Sequence, residues 1–461
     1  MDNQERIKVA IDLTPLRPGG ENGGAKTLIT TLLKEFTHCR ADEFQYLLIA
    51  ESWNYEELKD YEADNIICML KHDLFSYTRE SKPTNIPQRQ GVSSPEKTQK
   101  LRLKLLFRKV FNSSKYILNR FLSKVPRLKE KIKTKVLSVK VKARAIAKPS
   151  PKVLTGILPK SGILQERYGI DLLFCPFSAP IFAESGLPIV AIAYDLQHLE
   201  LPFFFKGHER LHRTTFLRDL LAKANKVVCI SEFTRQSFLN HFQASPQQLT
   251  AIPICIHERL RQREIEDTRY VLKQLGLKNN SYLFFPANFW PHKNHRLLLA
   301  AYSIYRQKNP HSPLDLVFTG ALEEPQTALK EFVRSLGYEN NIHFLGFLDE
   351  SQLVAVWQGA RGLIFPSLYE GFGIPVLEAM WFDKPVACSF TGSLPEVGGD
   401  AVIYFDPRKP EDVAEAMTQL GHNTNFVISF QKKARERLKL FKKEAMTHQY
   451  LNVFSEALVT K

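Results

Sequence analysis

Two carboxylates, Glu370 and Glu378, bracket a turn and a helix start in the run Tyr369-Glu370-Gly371-Phe372-Gly373-Ile374-Pro375-Val376-Leu377-Glu378-Ala379-Met380. Gly371 and Gly373 carry no Cβ to hold a ligand away from the backbone, and a proline opening the helix leaves no donor wasted. The amides of Gly371, Phe372, Gly373 and Ile374 can therefore receive an anion. Glu378 falls about four residues into the helix, roughly 6 Å along its axis at 1.5 Å per residue. A carboxylate would be repelled by phosphate unless it met hydroxyls. Glu378 thus reads as a ribose ligand, and Glu370 as a partner for sugar hydroxyls or for a developing positive charge. An ordinary helix cap beside a solvated glutamate is the competing explanation.

A second group of candidates lies in Ala287-Asn288-Phe289-Trp290-Pro291-His292-Lys293-Asn294-His295, which follows an apolar strand and opens a helix. An ammonium at Lys293 would stabilise the charge that grows on a departing diphosphate as a glycosidic bond breaks. Gly23 and Gly24 precede a helix N-terminus, where bare amides and the helix dipole favour phosphate. Asp195 and His198 stand at the C-terminal end of the strand Ile189–Ala193, the edge at which open parallel sheets bind ligands. Ser231 reads as a helix N-cap, with Thr234 in the first turn.

The Glu-x7-Glu segment resembles the signature of the retaining glycosyltransferases of the sucrose-synthase and mannosyltransferase family. The resemblance implies two Rossmann-like domains facing a cleft (the GT-B type) and a nucleotide diphosphate sugar as donor. It also implies front-face departure and attack, with the leaving phosphate accepting the acceptor's proton. By the same resemblance Glu370 and Lys293 are the catalytic residues. Asn288, His292, Thr391 and Gly392 join Gly23, Gly24, Asp195, His198, Gly371, Phe372, Gly373, Ile374 and Glu378 as substrate-binding residues. This sequence departs from the family at two points. Asn288 stands where an Arg is common, with His292 where some relatives carry theirs, so diphosphate binding is expected to respond to pH near an imidazole pKa of about 6.5. Tyr194 replaces the His of a His-Asp pair. No Asp-x-Asp pair precedes a donor site, so no metal is expected, and with the nucleotide sugar as a substrate no cofactor is expected either.

The elements that must hold these residues alternate strand and helix. Ile7–Leu13, Phe44–Ala50, Asp171–Cys175, Ile189–Ala193, Val227–Ile230 and Leu249–Pro253 form one run of predicted strands. Tyr282–Phe285, Leu314–Thr319, Ile342–Phe344, Leu363–Pro366, Val386–Cys388 and Val402–Phe405 form a second. Strands separated by helix-length segments imply parallel sheets and an α/β fold. The expected domains are residues 1–262 on the acceptor side, 268–424 for the nucleotide sugar, and a C-terminal helix, 425–461, returning to the first domain. The polar stretch His257–Asp267 is the expected linker.

At 461 residues, with 44% hydrophobic residues, the chain suits two globular domains. Its formal charge of +15 is local: Lys97 to Lys152 holds 19 Lys and Arg against the single acid Glu130, so that segment carries +18 and the remainder 15 − 18, or −3. Within an insertion spanning about 78–162, apolar residues recur every three or four positions between cations. That pattern suits helices on an anionic membrane surface, where a lipid-linked acceptor would be found. An inert solvated insertion and a nucleic-acid partner are the alternatives, the latter supported by charge alone.

The six cysteines, Cys39, Cys68, Cys175, Cys229, Cys255 and Cys388, show no Cys-x-x-Cys spacing, which fits reduced thiols in the cytoplasm. The first residues run straight into a strand, and no uncharged apolar run approaches membrane-spanning length. The expected activity is sugar transfer from a UDP- or GDP-sugar to a glycan or lipid-linked acceptor. A non-catalytic membrane- or nucleic-acid-binding protein on the same fold, and a nucleotide-sugar epimerase or phosphorylase, are the rivals.

Overall fold

The computed structural model describes residues 5–18, 22–75, 162–255, 260, 265–311, 313–320, 323–422 and 424–459. The basic segment 97–152, and with it the expected membrane surface, lies outside the described residues. Seven strands form the first sheet: β1 (Ile7–Asp12), β2 (Phe44–Ala50), β3 (Ile66–Leu70), β4 (Leu172–Cys175), β5 (Ile189–Ala193), β6 (Lys226–Cys229) and β7 (Leu249–Ala251). Six form the second: β8 (Tyr282–Pro286), β9 (Asp315–Thr319), β10 (Ile342–Phe344), β11 (Gly362–Phe365), β12 (Val386–Ser389) and β13 (Ile403–Phe405). The spatial orders are β3-β2-β1-β4-β5-β6-β7 and β10-β9-β8-β11-β12-β13, with every pairing parallel. The two-domain α/β architecture expected from the strand and helix alternation is the one observed.

Parallel pairing buries both faces of a strand under crossover helices, so its sequence reads as an unbroken apolar run. Phe284, Phe285, Leu363, Ile364, Ala191 and Ile192 are each fully buried. The same connectivity gathers the loops after β8, β11 and β12 at one edge of the second sheet. The candidate residues Lys293, Glu370 and Gly392 all sit on these three loops.

The chain departs from expectation in four places. The edge strand β3 and the helix Gly207–Lys223 are not among the expected elements. Between the sheets, the helix Ile265–Gln274 starts inside the stretch expected to be linker. The C-terminal helix is two helices, Thr424–Leu438 and Lys443–Val459. The break lets Phe441 bury itself edge-on to Phe372 of the signature turn, ring centroids 6.0 Å apart. The last helix then turns onto the first sheet, where Phe454 meets Phe174 at 5.0 Å, Phe36 at 6.0 Å and Phe44 at 6.3 Å. Two ion pairs flank it, Lys226–Glu456 at 2.8 Å and Lys443–Glu35 at 3.1 Å.

All six cysteines are free and five are buried. Among the described residues no helix is long and apolar enough to cross a membrane. Because Phe454 is fully buried among three rings, Phe454→Ala is expected to lower the unfolding free energy by about 3–5 kcal/mol, measured by denaturant unfolding.

Candidate active site

The centre of the site is an ion pair: Lys293 Nζ donates to Glu370 Oε1 at 2.5 Å, with 16% and 12% of the two side chains exposed. The ammonium also lies 5.4 Å from the centre of the Phe365 ring, at the end of β11. Three contacts fix the lysine's backbone. Asn294 takes a left-handed conformation, φ 65°, that ends the single turn Pro291–Lys293. Its side-chain amide donates to the carbonyls of Pro366 at 3.2 Å and Pro407 at 2.8 Å. The Leu368 amide donates to the His292 carbonyl at 2.7 Å. The loop after β8 is thereby tied to the loop after β11 that carries Glu370.

The turn Glu370–Gly373 is cradled by the loop after β12. Gly392 takes φ +59°, and a Cβ there would lie 2.8 Å from the Glu370 carbonyl oxygen. The Ser393 hydroxyl reaches the carbonyls of Glu370 (3.0 Å) and Phe372 (2.7 Å), and the Thr391 hydroxyl donates to the Ser367 carbonyl at 3.1 Å. Gly373 takes φ +107° and leads into the helix Ile374–Trp381, with Pro375 in its first turn. Glu378 is the fifth residue of that helix and is buried.

Elements of the first sheet close over this turn. A Cβ at Gly371 would collide with the Tyr194 carbonyl oxygen, and one at Gly24 would lie 2.5 Å from Ile374 Cδ1. Gly23, at φ +49°, has open space around it. The Asp195 carboxylate accepts from the Gln197 amide at 3.0 Å. Burial raises its pKa, against the Gln197 amide and Arg213, which lower it, while the more weakly felt charges of Glu370 and Lys293 act in opposite directions.

The structure thus brings together Gly24, Asp195, His292, Lys293, Glu370, Gly371, Phe372, Gly373, Ile374, Thr391 and Gly392. His198 is placed differently: it is buried, its Nε2 pairs with the Thr214 hydroxyl at 3.2 Å, and its ring meets Phe205 edge-on. Asn288 packs its backbone against Gly320 at the end of β9, where a Cβ on Gly320 would lie 2.9 Å from Asn288 Cα.

Burial, reinforced by Lys293, pushes His292 down to about 4. The imidazole expected to titrate near 6.5 is therefore neutral in this state. Three residues that link the signature loop and its neighbour to the first half, Tyr369, Thr234 and Glu396, carry no recognisable sequence signal for that role. Ser231 caps its helix as expected, accepting from the Thr234 amide at 3.0 Å, and its hydroxyl also donates to the Gly371 carbonyl at 2.7 Å.

Residues 270–437 match the family model described as "Glycosyl transferases group 1", and that stretch holds both acids, Lys293 and the Thr391–Ser393 loop. The chain is a glycosyltransferase carrying a group 1 domain. The O-antigen chain mannosyltransferase B of Escherichia coli is 27% identical over 265 residues, 58% of this glycosyltransferase and 69% of that protein. The D-inositol 3-phosphate glycosyltransferase of Corynebacterium glutamicum (strain R) is 22% identical over 254 residues, 53% of this chain and 60% of that one. The MMP alpha-(1->4)-mannosyltransferase of Mycolicibacterium hassiacum is 28% identical over 196 residues, covering 42% and 44%. The matched stretch thus spans less than two thirds of the length of the second and third of these relatives.

Among solved structures, Anabaena HepE in complex with UDP and glucose aligns with a TM-score of 0.63 at 15% identity, covering 98% of this chain and 100% of that one. WaaG aligns with a TM-score of 0.57 at 15% identity, covering 96% and 99%. These likenesses establish the GT-B fold of the glycosyltransferase.

His295 gives its second domain a pH-dependent core. The ring is buried between Phe285 and Phe289, each at 4.7 Å, and burial lowers its pKa to about 3. Between that value and the ordinary 6.5 the unfolded chain binds the extra proton, so the contribution is whole above 6.5 and lost as pH falls. Moving from pH 7 to pH 5 should cost about 2 kcal/mol through this ring. His295→Gln should flatten that slope in denaturant titrations at the two pH values.

Proposed function

We propose that the protein is a retaining glycosyltransferase that moves a sugar from a UDP- or GDP-sugar to a glycan or lipid-linked acceptor without a metal ion. The observation that carries this reading is the secluded Lys293–Glu370 pair at the mouth of the Gly371–Gly373 turn. Two opposite charges with little access to water interact strongly, and each requires a partner if they are separated. A nucleotide sugar offers both: its diphosphate takes the ammonium and its sugar takes the carboxylate. Lys293 then stands against the charge that grows as the bond from the anomeric carbon to the diphosphate oxygen breaks. The leaving oxygen accepts the proton of the acceptor hydroxyl, whose oxygen bonds to the anomeric carbon on the same face. Glu370 stabilises the positive charge that develops on the ring, and Glu378 binds the ribose hydroxyls.

The donor class is supported by the shared fold with HepE, whose structures hold UDP, UDP with glucose, or UDP-glucose. The glycan acceptor is supported by the mannosyltransferase relatives, one named for the O-antigen chain. Asp195, across from Glu370, suits a contact to the acceptor. The basic segment 97–152 adds a route to an anionic membrane surface on sequence grounds.

A screen of UDP- and GDP-sugars, with anomeric product analysis and with EDTA present, tests donor class, stereochemistry and metal independence together. Lys293→Ala should lower kcat by roughly 10²–10³-fold, the scale for removing one preorganised charge-stabilising donor. Glu378→Ala should weaken donor binding by about tenfold or more, as expected for hydrogen bonds to a charged acceptor. Transfer at an undiminished rate in both folded variants, or an inverted product, would defeat the reading. For the basic segment, co-sedimentation with anionic but not neutral liposomes is expected, and binding that survives deletion of 97–152 would refute it.

A further inference from the structure

Both chain neighbours of Glu370 are held by the opposite half of the molecule. On one side, the Tyr369 hydroxyl accepts from the Leu196 amide at 3.1 Å, and its ring lies edge-on to Phe233, 5.6 Å away. On the other, the Gly371 carbonyl accepts from the hydroxyls of Ser231 (2.7 Å) and Thr234 (3.2 Å), and a Cβ on Gly371 would collide with the Tyr194 carbonyl oxygen. A third link crosses in the reverse direction. The Glu396 carboxylate accepts from the amides of Glu232 (2.8 Å) and Phe233 (3.0 Å), the first two of the helix Glu232–His241. Those amides have no partner within their own helix, so a carboxylate from the other half satisfies both and meets the positive end of the helix dipole. Glu396 is itself held from behind, since Arg437 donates to the backbone carbonyls of Glu396 and Val397.

We propose that Glu396, Ser231, Thr234 and Tyr369 are positioning residues that form a hydrogen-bonded latch between the two sheets and aim Glu370 for sugar transfer. The backbone of Glu370 is held from its own half by Ser393, so its carboxylate keeps one direction only while both halves grip the turn. Opening the latch frees Tyr369 and Gly371 at once, and Glu370 then loses the frame that fixes it relative to Lys293. Domain closure and placement of the reacting acid become one event. This inference rests on the assignment of Glu370 to the reacting sugar, but the latch itself can be measured without any turnover.

The test compares wild type, Glu396→Gln and Glu396→Ala by amide hydrogen exchange and by kinetics. In Glu396→Ala, exchange should rise about tenfold both in 231–235, which the carboxylate touches, and in 369–373, which it does not touch, because the two segments open together. With the preferred donor, kcat should fall about tenfold while the Kd for the matching nucleotide diphosphate, UDP or GDP, moves less than about threefold, as expected when an interaction made for the reacting state is lost. Glu396→Gln keeps one acceptor oxygen and should fall between the two. Faster exchange confined to 231–235 would mark a local helix cap and overturn the latch. So would an unchanged kcat, or parallel losses of kcat and nucleotide affinity. Should the wild type transfer no sugar from any donor, the proposed reaction fails, and coupled exchange of the two segments still decides for or against the latch.

Discussion

An ammonium and a carboxylate held 2.5 Å apart, both largely removed from water, set the terms for the whole site. Such a pair is costly to assemble unless the surrounding backbone is already fixed, because each ion gives up its hydration for a single partner. The chain meets that requirement with neutral, local devices. Asn294 stitches two loops through its amide, Gly392 leaves room for the Glu370 carbonyl, and Ser393 holds the turn from below. The charges are therefore poised before a ligand arrives, and an anion with hydroxyl groups is the kind of molecule that can separate them.

The architecture explains why those devices converge. In a parallel sheet every strand ends at the same edge, so loops far apart in sequence meet without special arrangement. Lys293 follows β8, Glu370 follows β11 and Gly392 follows β12, and these are consecutive neighbours in the sheet. The first sheet supplies its own edge through Asp195, after β5, and Ser231, after β6. Glycine is needed where the two edges touch: at Gly371 a side chain would collide with the Tyr194 carbonyl, and at Gly24 it would press into Ile374. The C-terminal segment completes the frame from the second domain back to the first, with Phe441 of the helix break buried against the signature turn and Phe454 of the last helix against the first sheet.

Much of this was legible in the residues. Apolar runs bounded by polar loops mark twelve of the thirteen strands, and the edge strand Ile66–Leu70 is the one outside that expectation. The acids, the glycines and Lys293 stood out because their spacing fits an anion beside a sugar. His292 did not behave as its type suggests, since burial and a neighbouring ammonium hold it near 4, a property of surroundings and not of the side chain. The single long helix expected at the C-terminus is two, and Phe441 in the break is buried against Phe372, a tertiary contact that local pattern does not express. The functions of Tyr369, Thr234 and Glu396 were invisible for the same reason.

By itself, then, the order of amino acids determined the period of the apolar residues, hence two parallel sheets, and the chemical kinds present at the ends of their strands. Which of those groups face one another was decided only by tertiary structure. Hydrogen bonds, ion pairs and steric clashes act over a few ångströms. Glu396 and the amide of Glu232 are 164 positions apart along the chain, and only folding carries them to 2.8 Å.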